Sequence, residues 1–332
     1  MESFGRLASG ETVHRIVLQG GGLSAHVITR GAAIQNLRLD GHAAPLVLGL
    51  ERLEDYERHS PFFGAIAGRF ANRIGGARFM LDGREHRLDA NDHDHCLHGG
   101  AKGFSEKLWT VEQQGDSHVV LRLDSPDGDM GFPGRVTARC RYELAEGGAL
   151  AVTLSAETDA PTVCSMAHHS YFNLEDGGET PATGHEMQIS AETYLPVDAT
   201  LIPDGAPQPV DGTRFDFRDM KRIDAYGPDA AYDHNFCLDR SGQMQEVVQL
   251  RSPRSGVSLT VETTEPGLQC YTAPSMQMSV SGLGGRIYGH HAGICLETQI
   301  WPDAPNRADF PSAVLRPGQI REQRTIYRFK KG

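Results

Sequence analysis

Apolar and polar residues alternate along most of this chain. In Val136-Thr137-Ala138-Arg139-Cys140-Arg141-Tyr142-Glu143-Leu144 every second side chain is apolar or small, and those between are polar or charged. A period of two belongs to a strand with one buried face, because successive side chains leave a pleated backbone on opposite sides. Similar runs rich in Val, Leu or Thr lie at Arg15–Gln19, His118–Asp124, Leu150–Ala156, Glu246–Arg251 and Val257–Glu262, and the signal continues to Thr325–Phe329. No long stretch shows a comparable 3.6-residue period. Short helical turns are expected around Glu51–Glu57 and Asp216–Ala225.

Asp-Gly pairs begin at positions 40, 82, 127, 176, 204 and 211 and punctuate these runs. The pair Asp82-Gly83, between Phe79-Met80-Leu81 and His86-Arg87-Leu88, predicts a tight hairpin, since both residues tolerate the positive φ such a turn needs. Many strands joined by Gly, Pro and Asp turns predict an all-β protein, a sandwich or a barrel. No low-complexity linker, charge block or internal repeat divides the chain, so residues 1–332 read as a single domain.

Composition narrows the function. A net charge of −11 with no Lys/Arg cluster disfavours nucleic acid and anionic membrane surfaces, and leaves small neutral substrates as the better fit. The six cysteines show no C-x-x-C pair and the closest two are 24 residues apart, so no disulfide framework is expected. The N-terminal Met1-Glu2-Ser3-Phe4-Gly5-Arg6 runs into no apolar leader, and no apolar run is long enough to span a bilayer. The cytoplasm is the expected location.

Four segments concentrate His, acidic and aromatic side chains: Gly68–Ile74, Asn91–Gly100, His168–Leu174 and Gly293–Gln299. His93-Asp94-His95-Cys96-Leu97-His98 puts three imidazoles within six residues, and a strand would place His93 and His95 on one face, as in cupin-type metal sites. The competing reading is a solvated Asn/Asp-rich loop with no bound metal. His168-His169 stands beside Tyr171 and Phe172, a setting that can tune an imidazole for acid–base work, or simply bury a histidine against a carbonyl. Ile294-Cys295-Leu296-Glu297 sets a carboxylate in an apolar strand, which costs several kcal/mol unless the charge is paired or used. Its bland alternative is an ion pair with an arginine. Arg73 and Asp233 are single charged residues that a surface position or a turn would also explain.

Taken in order, these segments resemble the aldose 1-epimerases, or galactose mutarotases, over nearly the whole chain. The matching positions include Gly68-Arg69, Asn72-Arg73-Ile74, Leu97-His98-Gly99-Gly100, His169-Ser170-Tyr171-Phe172-Asn173-Leu174, Tyr194-Leu195-Pro196-Val197-Asp198, Asp233-His234, Pro266-Gly267 with Gln269 and Tyr271-Thr272, and Leu296-Glu297-Thr298-Gln299. A dozen such motifs in register is a specific signal. The resemblance implies a large antiparallel β-sandwich of the galactose mutarotase-like supersandwich type. It further implies interconversion of the α and β anomers of free aldoses such as galactose and glucose, without metal or cofactor. The implied general acid is His169 and the implied base Glu297, with Asn72, Arg73, His98, Asp233 and Gln269 binding the monosaccharide and Tyr171 or Phe172 offering a ring face. A monomer or weak dimer is expected.

The chemistry suits those residue types. Opening a hemiacetal takes a proton from the anomeric hydroxyl and gives one to the ring oxygen, so a carboxylate and an imidazolium suffice. Two positions depart from the family pattern: His168 replaces the usual Asn before the catalytic histidine, and Ala273-Pro274 replaces Gly-Asn after Tyr271-Thr272, which points to an altered sugar preference. Two readings of other classes stand beside the epimerase: a non-catalytic sugar-binding domain on the same fold, and a metal-dependent cupin-like enzyme using His93, His95 and His98.

Overall fold

The computed structural model describes residues 1–227, 230–239 and 242–332. Two large antiparallel sheets dominate it. The first has nine strands, ordered Thr110–Gln114, His118–Ser125, Val136–Ala145, Ala149–Thr158, Arg321–Lys331, Val257–Thr263, Gln245–Arg251, Glu186–Ile189 and Lys221–Arg222. The second has six, ordered Tyr171–Phe172, Ile294–Gln299, Gly267–Tyr271, Asp233–Cys237, Thr193–Tyr194 and Gln208–Pro209. A further four-stranded sheet is built from the first 39 residues, Glu2–Arg6 through Ala33–Leu39. No described helix is long and apolar enough to cross a membrane.

The alternation read from the sequence is what the strands use. Along Val136–Ala145 the side chains of Val136, Ala138, Cys140, Tyr142 and Leu144 are buried and those between are half-buried. Asp82 and Gly83 take φ of 51° and 79° and close a hairpin in which Arg78–Leu81 pairs with Arg84–Arg87. The helical turn expected near residue 51 is the helix Leu53–His59. The one expected over Asp216–Ala225 shrinks to a 3-10 turn, Ile223–Tyr226. Ahead of it the chain makes tight turns that bury both Phe215 and Phe217: Asp216 N–H donates to the Thr213 carbonyl (3.3 Å) and Phe217 N–H to the Phe215 carbonyl (2.9 Å).

The six-stranded sheet has two unlike faces. Phe172, Phe236, Leu268, Cys270, Ile294 and Leu296 join the main core with the inward residues of the nine-stranded sheet, forming a β-sandwich. The opposite face carries Asp233, Gln269, Tyr271, Cys295 and Glu297. Register brings these together, with Asp233 opposite Tyr271, Tyr271 opposite Cys295, and Gln269 opposite Glu297. Direct partners on one face of an antiparallel pair lie about 5 Å apart at Cβ, so five polar or reactive side chains form one patch.

Candidate active site

Glu297 sits in a strand, Ile294–Gln299, whose six residues are all buried. Ile294 and Leu296 enter the core while Cys295 and Glu297 face away from it. Over this face lies a cavity of about 180 Å³ lined by Pro61, Phe62, Asn72, Arg73, Leu97, His98, His169, Tyr171, Asp233, Tyr271 and Glu297. The carboxylate is almost fully buried, and its Oε2 meets no partner among the described residues. Burial first, and the nearby Asp233 carboxylate second, push its pKa well above the usual range, while Arg73 opposes them.

His169 is held from both sides of its backbone. Its N–H donates to the Ala65 carbonyl (2.9 Å) and its carbonyl accepts from Gly64 N–H (3.1 Å). The ring then reaches Glu297, Nε2 to Oε1 3.6 Å, while Nδ1 lies 3.5 Å from the Cys295 thiol. Burial drives its pKa down to about 4. For both partners burial outweighs the contacts that favour the charged form, Arg73 for Glu297 and a backbone hydrogen bond for His169.

The sugar-binding candidates arrive on a two-rung ladder. Arg73 pairs with Leu97 and Ile74 with Cys96, which sets Asn72 beside His98. His98 N–H donates to the Asn72 carbonyl (3.1 Å) and Asn72 N–H donates to His98 Nδ1 (3.1 Å). Gly99, at φ 87°, follows because an added Cβ would stand 2.1 Å from the Gly68 carbonyl oxygen. With Nδ1 an acceptor, His98 is the neutral tautomer with its hydrogen on Nε2, and burial holds its pKa well below the ordinary value. Arg73 Nε donates to Asp92 Oδ2 (2.8 Å), and Arg73 Nη1 stands 4.0 Å from Asp233 Oδ2. Gln269 does not line the cavity. It is buried behind it and donates from Nε2 to Asp233 Oδ1 (2.6 Å), so it orients the aspartate.

Two expectations are corrected, those for Phe172 and for the His93, His95 and His98 trio. Phe172 belongs to the main core, on the far side of the sheet from Tyr171, because neighbouring strand residues point opposite ways. His93 is exposed with φ 54°, and His95 Nδ1 accepts from Gly76 N–H (3.0 Å), so these two do not join His98 and the cupin-like trio does not form. His168 turns away from the cavity, between the rings of Tyr142 and Tyr327, with Nε2 2.9 Å from Ser170 Oγ. Phe62, which pattern reading missed, stands at the cavity with its ring 4.7 Å from that of His98 and 5.5 Å from that of His169. It follows a short helix in a loop with no periodic signal.

Among the described residues one group has metal-ligand composition: His98, His169 and Glu297, with candidate ligand atoms within 4.8 Å of one another. The His98 tautomer opposes that use. Its Nδ1 lone pair takes the Asn72 N–H and its Nε2 carries a hydrogen, so neither nitrogen is free for a cation. The set suits hydrogen bonds to hydroxyl groups.

A family model for aldose 1-epimerase matches residues 14–328 of the chain. The galactose mutarotase of Mus musculus is 40% identical over 333 residues, covering 98% of this chain and 97% of that protein. The aldose 1-epimerase of Escherichia coli (strain K12) is 35% identical over 321 residues, covering 93% and 92%. Among solved structures, an aldose epimerase homologue from C. elegans superposes with a TM-score of 0.90 at 28% identity, covering 96% of this chain and 99% of its own. Galactose 1-epimerase from Lactobacillus acidophilus NCFM gives 0.85 at 29% identity, with 99% and 98% covered.

Proposed function

The chain belongs to the aldose 1-epimerase family, and from that premise we propose that Glu297 and His169 exchange the two protons that open and reclose an aldose ring. The protein is an isomerase that interconverts the anomers of an aldose. One observation carries the residue assignment: a buried carboxylate with an unpartnered oxygen stands 3.6 Å from a buried imidazole on the wall of a cavity. An orphaned buried carboxylate is costly in a structural role and is accounted for when a substrate hydroxyl meets it.

The steps conserve one proton on the pair. Glu297 as carboxylate takes the proton of the anomeric hydroxyl, and His169 as imidazolium gives one to the ring oxygen as the C1–O5 bond breaks. The aldehyde then stands beside a protonated Glu297 and a neutral His169, the forms that burial favours. Rotation about C1–C2 presents the other carbonyl face, and reversal of both transfers closes the other anomer. Such assistance contributes roughly 10²–10⁴ in rate. Arg73, His98 and Asp233 hold the sugar hydroxyls, Asn72 sets the His98 tautomer, and Gln269 orients Asp233. In this reading residues 1–332 act as one folding unit in the cytoplasm. The seat of the final strand, Arg321–Lys331, inside the nine-stranded sheet supports the first part.

Polarimetry on fresh α-D-galactose or α-D-glucose tests the proposal. Acceleration by the wild type is expected, and Glu297→Gln and His169→Asn should each lower it by roughly 10²–10⁴ with folding retained. A wild-type rate in Glu297→Gln would sink the assignment. A panel with arabinose, xylose and fucose identifies the preferred sugar.

A further inference from the structure

The histidine- and aspartate-rich segment 91–97 is left over by the reaction, and it forms a closed strap behind Arg73. Asn91 bonds the Leu97 backbone twice, accepting its N–H at Oδ1 (2.8 Å) and donating from Nδ2 to its carbonyl (3.0 Å). Asp92 and His95 exchange backbone hydrogen bonds of 3.1 and 2.9 Å across the turn. Gly76 N–H ties His95 to the neighbouring loop. The strap fixes the Asp92 carboxylate 2.8 Å from Arg73 Nε, with side-chain exposures of 24% and 12%. Arg73 thus stands between two carboxylates, bonded to Asp92 through Nε and with Nη1 4.0 Å from Asp233 Oδ2, at the outer limit of an ion pair.

We propose that Asp92 is a positioning residue for sugar binding: by engaging Nε it holds the Arg73 guanidinium with its terminal nitrogens at the cleft, and keeps Arg73 from closing on Asp233. A guanidinium is a rigid planar fork, so anchoring it through Nε fixes the direction of its other donors. Without that anchor the nearest carboxylate is Asp233, and a bidentate Arg73–Asp233 pair would take both groups from the substrate at once. Asp92 also draws off part of a positive charge that otherwise acts on the catalytic pair. The titratable and charged groups facing Glu297 are His169, Asp233, Arg73, Cys270, Cys295, Tyr171, Tyr271 and Tyr327, and Arg73 is the fixed cation among them.

The inference rests on the aldose 1-epimerase reading, and three variants test it by mutarotation kinetics with calorimetric titration of galactose alongside. Asp92→Ala loses both anchor and charge; its KM and galactose Kd should rise about tenfold with kcat within about threefold of wild type. Asp92→Asn keeps an acceptor for Nε but not the charge. Its KM should stay near wild type, while both limbs of the kcat/KM pH profile move to lower pH as Arg73 acts undivided on the pair. Asp92→Glu should restore most of the affinity lost in Asp92→Ala. Unchanged KM and pH limbs in Asp92→Ala would overturn the proposal, as would kcat and thermal stability falling together at constant KM. Absence of mutarotation in the wild type would instead overturn the activity, and the galactose Kd of the variants would still be read independently.

Discussion

In the mechanism we propose, Glu297 and His169 each change by one proton between two forms of the pair, and this governs how the rate depends on pH. The carboxylate–imidazolium form and the acid–imidazole form hold the same number of protons, so the limbs of the profile belong to the pair. Below the lower limb both groups are protonated and no base remains; above the upper limb both have lost their proton and no acid remains. Burial lowers His169 to about 4, so the second proton binds only as pH falls toward that value. Burial and Asp233 raise Glu297, so the last proton is kept to a higher pH than an ordinary carboxylate would allow. A bell-shaped profile is expected with its acid limb well below the 6.5 of an ordinary histidine. Initial polarimetric rates across the range check it, and an acid limb at or above that value would contradict it. Two histidines side by side show how far residue type falls short of role: His168, the last residue of the strand Ala167–His168, packs between Tyr142 and Tyr327, while His169 just beyond it lines the cavity.

At the scale of elements the hairpin Arg78–Arg87 isolates one local cause. Gly83 has φ 79° and open space where a Cβ would go, so Gly83→Ala introduces backbone strain without a clash. The left-handed conformation costs an L-residue about 1–2 kcal/mol, which should appear as a lower urea midpoint with mutarotation unchanged. That turn was legible because its chemistry is local. The ladder joining Arg73–Ile74 to Cys96–Leu97 was not, since two residues on each side carry no period, and the pairing depends on Gly99 and on the Asn72–His98 bonds around it. Phe215 and Phe217 mark the converse case: a helical turn expected over Asp216–Ala225 gave way, ahead of Ile223–Tyr226, to tight turns that bury both rings.

The whole molecule is tied together by contacts distant in sequence. The last strand, Arg321–Lys331, lies between Ala149–Thr158 and Val257–Thr263, so the nine-stranded sheet is completed only by the end of the chain. Arg69 performs a similar closure in the loops. Its guanidinium is buried and donates to the carbonyls of Pro133 and Gly134 (both 2.8 Å), to Pro126 (3.1 Å) and to Ser125 Oγ (2.6 Å). Arg69→Leu strips these acceptors of their donors, and at about 1 kcal/mol or more for each it should destabilise the fold by about 3–5 kcal/mol. Chemical denaturation should show a lower midpoint; an unchanged one would mean water replaces the guanidinium. The sequence by itself determined the period-two strands, the Asp82-Gly83 turn and, through motifs in register, the family, and it singled out the two residues we propose as the acid–base pair, because alternation and turn chemistry are set by neighbours a few residues apart. Only the tertiary structure decided that Phe62 and Tyr271 wall the cavity, that Gln269 stands behind Asp233, that His93 and His95 stay out of it, and that Asp92 anchors Arg73. Those outcomes depend on register between strands up to hundreds of residues apart, and closure of that kind leaves no local mark on the chain.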